Sequence, residues 1–298
     1  MTFKKWRHEL PLHFMLLPAL VLLAVFSYWP MVGIVIAFQK FYPNRGFFGS
    51  EWVGLDNFLY VYHLPGISQI VFNTIFIAVM KIIAGLVVPI TVALLLNEMA
   101  RERIKRMIQT LIYLPHFLSW VILGGVLIDV LSLKGILNQF LGWFGMDPVY
   151  FLGDNHWFPY VLVATDTWKD FGFGTIVYLA ALTGIDQSLY EAAEIDGASR
   201  WRQTLNITIP GILPVVVLMT TLSLGNVLNA GFDQVFNLYS PQVYESGDII
   251  DTFVYRIGLI DAQYSVATAV GLFKSVVSLV LISSSYLLAY RFAGYRIF

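Results

Sequence analysis

Residues 191–210 read EAAEIDGASRWRQTLNITIP and form a polar island between two strongly apolar segments. The chain as a whole is only 12% charged, yet this stretch carries five formal charges, on Glu191, Glu194, Asp196, Arg200 and Arg202. Ser188 followed by Glu191 is typical of a capping box at the start of a helix, and Asp186 is an alternative cap that gives nearly the same start. We therefore expect a helix to begin just before this stretch.

The same stretch predicts a second short helix after a glycine turn. Gly197 stands where a helix would end in a left-handed residue. Ser199 is placed to cap a helix that runs through Arg202 to Ile207. Pro210 would then stop that helix or start the next apolar segment. On composition alone, an ordinary surface loop accounts for these residues equally well.

The composition identifies an integral membrane protein. Of 298 residues, 58% are hydrophobic and the mean hydropathy is +0.71, whereas soluble domains have about 45–50% apolar and roughly 25% charged residues. The net charge of −1 gives no indication of nucleic-acid binding. Because the chain has no cysteine, it has neither disulfides nor thiolate metal sites.

Six long apolar segments predict six transmembrane helices in a single membrane domain, residues 1–298. Each exceeds the roughly 20 residues that cross a hydrocarbon layer about 30 Å thick. The predicted spans are 13–39, 67–97, 107–133, 158–183, 211–236 and 263–290. The polar loop 184–210 joins the fourth span to the fifth.

Lysine and arginine residues are distributed unequally between the two sides of this topology. Eleven fall on one side, at positions 4, 5, 7, 101, 103, 105, 106, 200, 202, 291 and 296, and four on the other, at positions 40, 45, 134 and 256. Positive residues favour the cytoplasmic side. We therefore expect both termini and the loop 184–210 in the cytoplasm, with the first span as an uncleaved anchor.

The sequence contains no Walker-type glycine loop, GxGxxG, HExxH or nucleophile elbow. We therefore expect no catalytic residue, metal ligand or cofactor on this chain. If ATP powers the protein, its nucleotide and Mg²⁺ must be bound by a separate subunit.

The fourth predicted span carries charges that need an explanation, since a charged group at the centre of a span costs about 2.5–3.5 kcal/mol. Asp166, Lys169 and Asp170 can share one helical face. They could form a self-neutralising cluster that fixes helix packing. Alternatively, together with the aromatic residues Trp168 and Phe173, they could line a translocation path, because aromatic rings stack on sugars and carboxylates bind hydroxyl groups.

The end of the fifth span, GNVLNAGFDQVFNL, repeats this combination of polar and aromatic residues. On a continuous helix Asn226, Asn229 and Asp233 would share one face. These residues could be polar contacts between helices, but we favour a substrate surface. Its predicted members are Asn226, Asn229, Phe232, Asp233 and Gln234, which join Trp168, Lys169, Asp170 and Phe173 of the fourth span.

Four further polar residues lie within or beside apolar segments. Lys81 in the second span requires a carboxylate partner or water, and Asp129 is a possible partner. Together with Lys169, the lysines Lys81 and Lys274 could also form a path suited to uronate sugars. His116 is expected to be a packed or hydrogen-bonded helix residue.

Outside the membrane, residues 137–144 predict an amphipathic helix at the outer interface. Leu137, Phe140, Leu141 and Phe144 would form its apolar side. The alternative interpretation is a lid that fills the mouth of the helix bundle.

The pattern in residues 191–210 resembles the coupling loop of the permease subunits of bacterial ATP-binding-cassette importers. That family pattern is EAA, then DGA, an aromatic residue and I-x-L-P. The matching positions, which the resemblance implies contact an ATPase, are Glu191, Ala192, Ala193, Asp196, Gly197, Ala198, Trp201, Ile207 and Pro210. Thr204 departs from the usual Phe, and Ile209 from the usual Leu; Trp201 could supply the apolar contact that Thr204 lacks.

Other segments resemble the carbohydrate-uptake branch of these permeases, especially the lipoprotein-associated and alginate-type members. They include WVGLDNF at residues 52–58 and TWKDFGFGTIVYLAALTGID at residues 167–186. The resemblance implies the MetI-like, type I importer permease fold in a bacterial cytoplasmic (inner) membrane. It also implies a second homologous permease, two cytoplasmic ATPases, an extracytoplasmic solute-binding protein and a carbohydrate substrate.

We therefore expect ATP-driven import of oligosaccharides or polysaccharide fragments by alternating access. The rival hypothesis is an ion-coupled secondary transporter of a polar solute, in which Asp166, Lys169 and Asp170 would relay protons. A membrane enzyme is disfavoured because no nucleophile–base pair is visible.

Overall fold

A computed structural model describes residues 3–225 and 227–293, and in this description the protein is almost entirely helical. Asn226, one of the predicted substrate-contacting residues, lies outside the described residues. The chain divides into two compact units, one comprising the described residues up to Pro65 together with Val254–Phe273, the other Gly66–Phe253 together with the described residues from Lys274 onward.

The first unit begins with a long apolar segment that changes its helical type along its length. Helix α1 (Phe3–Leu23) continues through a π-helical turn (Ala24–Tyr28) into a 3₁₀ helix (Trp29–Phe38). A small antiparallel hairpin follows, in which β1 (Gln39–Lys40) pairs with β2 (Glu51–Trp52). The connection between the two strands contains the short helix α2 (Gly46–Gly49). Helix α3 (Asp56–His63) is attached to the hairpin by Asn57, whose amide donates to the carbonyls of Ala37 and Gln39.

The second unit is built around two long helices, α4 (Ile67–Asn97) and α8 (Phe158–Thr183), which pack along each other. Between them in the chain come α5 (Glu102–Tyr113), α6 (Trp120–Leu131) and α7 (Ile136–Trp143). After α8 follow α9 (Gln187–Ile195), α10 (Arg200–Gln203), α11 (Ile209–Gly225), α12 (Phe232–Leu238) and α13 (Tyr244–Gly247). Two later helices are divided between the units: α14 (Ile250–Tyr255) after Phe253, and α15 (Tyr264–Ala293) after Phe273. The larger apolar core includes Ile77, Leu123, Phe158, Leu162 and Val235.

Five helical segments of the described part of the chain are long and apolar enough to cross a membrane: Leu10–Phe38, Ile67–Asn97, Trp120–Trp143, Arg200–Gly225 and Tyr264–Leu287. The predicted fourth span is a helix with the predicted bounds, Phe158–Thr183, and it carries three charged residues. Those charges lower its hydropathy, and they have partners inside the protein, described below.

Contrary to the prediction, the third span is not one continuous helix. Helix α5 ends at Tyr113, a 3₁₀ turn occupies Leu114–Phe117, and Leu118 and Ser119 have extended backbone before α6 begins. Pro115 explains the break, because a proline in a helix interior removes a backbone donor and clashes with the preceding turn. Ser119 then caps α6 by accepting a hydrogen bond from the Ile122 N–H.

The predicted fifth span, residues 211–236, is also interrupted. Helix α11 ends at Gly225, and α12 begins only after Gly231, which has a φ of +93°. Glycine adopts this left-handed conformation without the steric cost that other residues bear. Asn229 and Asp233 therefore do not share the face of one helix, and the prediction that they do is wrong.

Candidate functional site

The polar segment 191–210 begins on a capped helix. The Asp186 side chain accepts a hydrogen bond of 2.9 Å from the Ser188 N–H, so Asp186, the alternative cap, is the one present rather than Ser188. That backbone N–H holds the pKa of the Asp186 carboxyl below its usual value. Helix α9 therefore starts at a defined residue in the loop 184–210.

Helix α9 ends in a Schellman turn centred on Gly197. The Ala198 N–H donates to the carbonyl of Ala193 at 2.9 Å, and the Gly197 N–H donates to that of Glu194 at 3.0 Å. Gly197 has a φ of +72°, as this turn requires. A side-chain carbon at Gly197 would meet no atom within 4 Å, so only the backbone conformation restricts this position.

One of the two roles predicted for Pro210 was to stop the helix that follows the turn. Pro210 does not do so. Ser199 caps α10 through a long hydrogen bond from the Arg202 N–H, and the helix continues through a π-helical turn (Thr204–Thr208) directly into α11. In that turn the Ile209 N–H reaches back to the Thr204 carbonyl, and the wider turn gives room to a proline in the helix. The Thr204 hydroxyl donates to the carbonyl of Arg200 at 3.0 Å.

The segment is fastened to the rest of its unit but leaves apolar side chains exposed. Arg200 forms an ion pair of 2.9 Å with Glu98 at the end of α4, and the hydroxyls of Tyr190 and Thr208 lie 2.9 Å apart. Ile195 is nevertheless 87% exposed and Trp201 is 70% exposed. Two large apolar side chains of this polar segment are therefore uncovered in this structure.

Within the helix bundle, Lys81 of α4 joins α8 to the region around α12. Its ammonium group donates to Asp166 Oδ1 at 3.1 Å, to the carbonyl of Ala230 at 2.7 Å and to the side-chain oxygen of Gln234. Asp129, the partner considered from the sequence, is exposed on α6 instead. Helix α8 supplies the nearer carboxylate because α4 and α8 pack along each other.

The Gln234 side chain completes this connection from a fully buried position. Its amide nitrogen donates to the Leu162 carbonyl at 2.8 Å and to Thr165 Oγ1 at 2.7 Å. Gly231 allows the close approach of the chain, since an added side-chain carbon would lie 2.8 Å from the Lys81 nitrogen. Gln234 therefore fixes the position of the Lys81 ammonium group through its side-chain oxygen, and its own side chain is fully buried.

A second polar cluster fastens the break of the third span to α8. Lys169 donates to the His116 carbonyl at 3.0 Å and lies 3.5 Å from Asp170, whose carboxylate is 2.8 Å from His116 Nδ1. The His116 ring stacks on Phe173 with centroids 4.2 Å apart. His116 is thus hydrogen-bonded and packed as predicted, although it lies in the 3₁₀ turn between two helices.

Two adjacent cavities lie beside these clusters and share Lys81, Gly85 and Asp166. One, of about 250 Å³, is also lined by Ser223, Asn229 and Gly231. The other, of about 300 Å³, is also lined by Pro89, His116, Asp170 and Phe173. Both cavities are lined by apolar and polar groups, and the polar share is larger in the first.

The predicted substrate-path residues take different positions around these cavities. Asp170, Phe173 and Asn229 line them. Lys169 is 8% exposed and Gln234 is fully buried, and neither residue lines these cavities. Trp168, Phe232 and Asp233 line neither of the two cavities.

Lys81, Asp166 and His116 also line the cavities. Asp166 and Lys81 were considered as possible path residues, whereas His116 was expected only to be packed or hydrogen-bonded. The signal for Lys81 and Asp166 was present in the sequence, since both are charged residues inside apolar spans. Lys274 pairs with Asp251 at 2.5 Å. The three lysines within the predicted spans thus each have a carboxylate partner.

Comparison with known proteins identifies the family. Residues 82–294 match the family model described as binding-protein-dependent transport system inner membrane component. The chain is 41% identical over 282 residues to the polygalacturonan/rhamnogalacturonan transport system permease protein YteP of Bacillus subtilis (strain 168), covering 94% of this chain and 88% of that protein.

Two solved structures share the fold. One is the crystal structure of a bacterial ABC transporter involved in the import of the acidic polysaccharide alginate, with a TM-score of 0.90 and 36% identity over 97% of this chain and 98% of that one. The other is an alginate ABC transporter in complex with an alginate pentasaccharide-bound periplasmic protein, with a TM-score of 0.89 and 36% identity over 97% of each chain. The predicted fold class, an all-helical membrane permease of the MetI-like type, is confirmed.

Proposed function

The chain belongs to the family of binding-protein-dependent transport system inner membrane components, and from this premise we propose that it is the membrane permease of an importer of oligosaccharides or polysaccharide fragments. The observation that carries the proposal is the extent of similarity: a relative named for polygalacturonan transport and a transporter of alginate both match at least 94% of this chain. Their named cargoes are both polysaccharides.

The proposed energy source is ATP hydrolysis on two separate cytoplasmic ATPase subunits, which bind ATP and Mg²⁺. Two features support this assignment: the sequence has no nucleotide-binding motif, and the segment 191–210 presents Ile195 and Trp201 uncovered. In this proposal α9 fits a groove of an ATPase, and closure of the ATPases moves this chain and a second homologous permease as rigid bodies. The path then opens alternately to the two sides of the membrane.

The proposed partner on the outer side is an extracytoplasmic solute-binding protein. The related alginate transporter was solved with a periplasmic protein bound to its saccharide. By analogy, such a protein would deliver the fragment to the outer opening of the path between the two permeases.

The two cavities support recognition of sugar rings and hydroxyl groups in this subunit. Phe173 offers an aromatic face, Asn229 an amide, and Asp170 a carboxylate. Lys81, Lys169 and Lys274 are each paired with a carboxylate, so they do not form a set of free cations for uronate groups. We propose that this subunit binds hydroxyl groups and ring faces and that the binding protein selects for charge.

Transport in proteoliposomes that contain the complete importer tests the proposal. Labelled oligogalacturonides and neutral glucans of equal length would be offered with the binding protein outside and ATP inside. We expect uptake of at least one saccharide class that requires both ATP and the binding protein. Uptake that persists without ATP but disappears when an ionophore collapses the ion gradient would instead establish the secondary transporter.

A further inference from the structure

Helix α7 has one side fixed against the protein. Leu137 and Leu141 pack on the apolar core of the second unit. Between them Asn138, which is 4% exposed, donates to the carbonyls of Ser132 and Val149 and accepts from the Val149 N–H, each at 2.8–2.9 Å. The orientation of α7 about its own axis is therefore determined by buried contacts.

A second side of α7 is apolar but uncovered. Ile136, Phe140, Trp143 and Phe144 are 71%, 48%, 82% and 69% exposed. Their spacing of four, three and one residues places them on one side of a helix. The Phe140 ring contacts those of Trp143 and Phe144 with centroids 5.9 and 5.1 Å apart, so the side chains form one aromatic cluster.

The third side of α7 is exposed and carries no large apolar side chain. Gln139 and Gly142 lie there, both exposed, and the Gln139 amide donates to the Lys134 carbonyl at 2.9 Å. Successive residues on a helix are separated by about 100°. Around the axis the helix therefore presents the protein-facing side, the aromatic side next to it, and then the side with Gln139.

Helix α6, which precedes α7, also carries exposed apolar residues. Val126 and Ile128 of α6 are 52% and 45% exposed, and Leu133 between the two helices is 49% exposed. Together α6 and α7 form one of the segments apolar enough to cross a membrane, Trp120–Trp143. The aromatic cluster thus lies at the end of an apolar segment that is suited to a membrane by its composition.

We propose that α7 lies in the outer lipid–water interface, with its aromatic cluster inserted among phospholipid acyl chains near the headgroups. Tryptophan is enriched at this depth because its ring is apolar and its N–H is polar. The exposed Lys134 at the start of the turn is placed to reach lipid phosphate. Helix α7 then anchors the outer end of α6 to the membrane, whereas the Gln139 side faces water.

Site-directed spin labelling tests this placement, and the chain is suited to it because it has no native cysteine. Phe144→Cys and Gln139→Cys, made singly with Trp143 retained, would each carry a nitroxide label in the complete importer in lipid nanodiscs. We expect frequent collisions with oxygen and few with a water-soluble nickel complex at position 144. The reverse is expected at position 139, and Phe140→Cys is a second reporter for the aromatic side.

Two results would overturn the proposal. Equal accessibility to the nickel complex at positions 144 and 139 would place the aromatic side in water. Protection of positions 140 and 144 from both oxygen and nickel would mean that a protein partner covers this side. Retained saccharide uptake by each labelled importer, measured after reconstitution into proteoliposomes, would show that the label had not displaced the helix.

Discussion

Gly197 illustrates how one residue can be restricted by its backbone alone. Its φ of +72° is required by the two hydrogen bonds of the Schellman turn, and the space around it is empty. We predict that Gly197→Val raises the free energy of this turn by about 1–2 kcal/mol or more. Uptake and its coupling to ATP hydrolysis should fall, while membrane insertion and assembly measured by co-purification persist.

Gly197→Asn is the matched variant for this prediction, because asparagine tolerates the left-handed region better than other residues. It should retain most of the uptake. Normal uptake by Gly197→Val would show that the Schellman turn is dispensable for coupling.

Lys81 and Asp166 form an ion pair that is largely shielded from solvent, and the attraction between two charges is stronger where water is excluded. The side chains are 9% and 26% exposed, and Lys81 has two further acceptors. We predict that Asp166→Leu alone destabilises the protein by about 3–5 kcal/mol, because it leaves a buried lysine without its carboxylate. Thermal unfolding of the purified importer in nanodiscs would measure this loss.

The double variant Lys81→Met with Asp166→Leu separates the ion pair from simple loss of packing. Replacing both charges by apolar groups of similar size removes the unpaired charge. The double variant should therefore be less destabilised than the sum of the two single variants. Additive losses would mean that the two side chains do not depend on each other.

At the scale of secondary-structure elements, the close crossing of α5 and α8 depends on Gly172. A side-chain carbon at Gly172 would overlap the Ile112 carbonyl, so only glycine allows this approach. We predict that Gly172→Ala destabilises the protein by about 1–3 kcal/mol through overpacking. It should also separate α8 from the 3₁₀ turn that carries His116, and so weaken the His116–Asp170 contact.

Gly125→Ala is the control for this prediction. It also adds one carbon to a helix interior, but nothing lies within 4 Å of that carbon. It should leave the melting temperature unchanged or raise it, since alanine is favoured over glycine in helices by about 0.5–1 kcal/mol. Equal destabilisation by the two substitutions would rule out the close approach at Gly172 as the cause.

At the scale of the whole molecule, the exposed residues of segment 191–210 predict where the ATPase binds. Ile195→Cys and Trp201→Cys, introduced singly, should react rapidly with a membrane-permeant maleimide when the permeases are expressed without ATPase. In the complete importer the reaction should slow at both positions. Arg103→Cys, at an exposed position in α5 on the same predicted side of the membrane, is the reference for general cytoplasmic access. Unchanged labelling at 195 and 201 on assembly would contradict docking at this segment.

The sequence alone determined the features that depend on neighbours along the chain. The apolar segments 67–97 and 158–183 are helices α4 and α8 with the same bounds, because hydrophobic content and local breakers such as Gly66 and Gly184 act within a few residues. The turn at Gly197 was visible for the same reason. The pattern of residues 191–210 likewise indicates the family, because it consists of residues close together in the chain.

Only the tertiary structure decided which distant residues meet. Lys81 pairs with Asp166, 85 positions away, rather than with Asp129, and Gln234 supports it from 153 positions away. The break at Gly231 likewise belongs to the tertiary structure: the spacing of Asn229 and Asp233 predicts one helical face, but α12 begins only after Gly231. A sequence gives the charge and spacing of residues on each helix, but partner choice depends on which helices pack together and on the cost of leaving a buried charge unpaired.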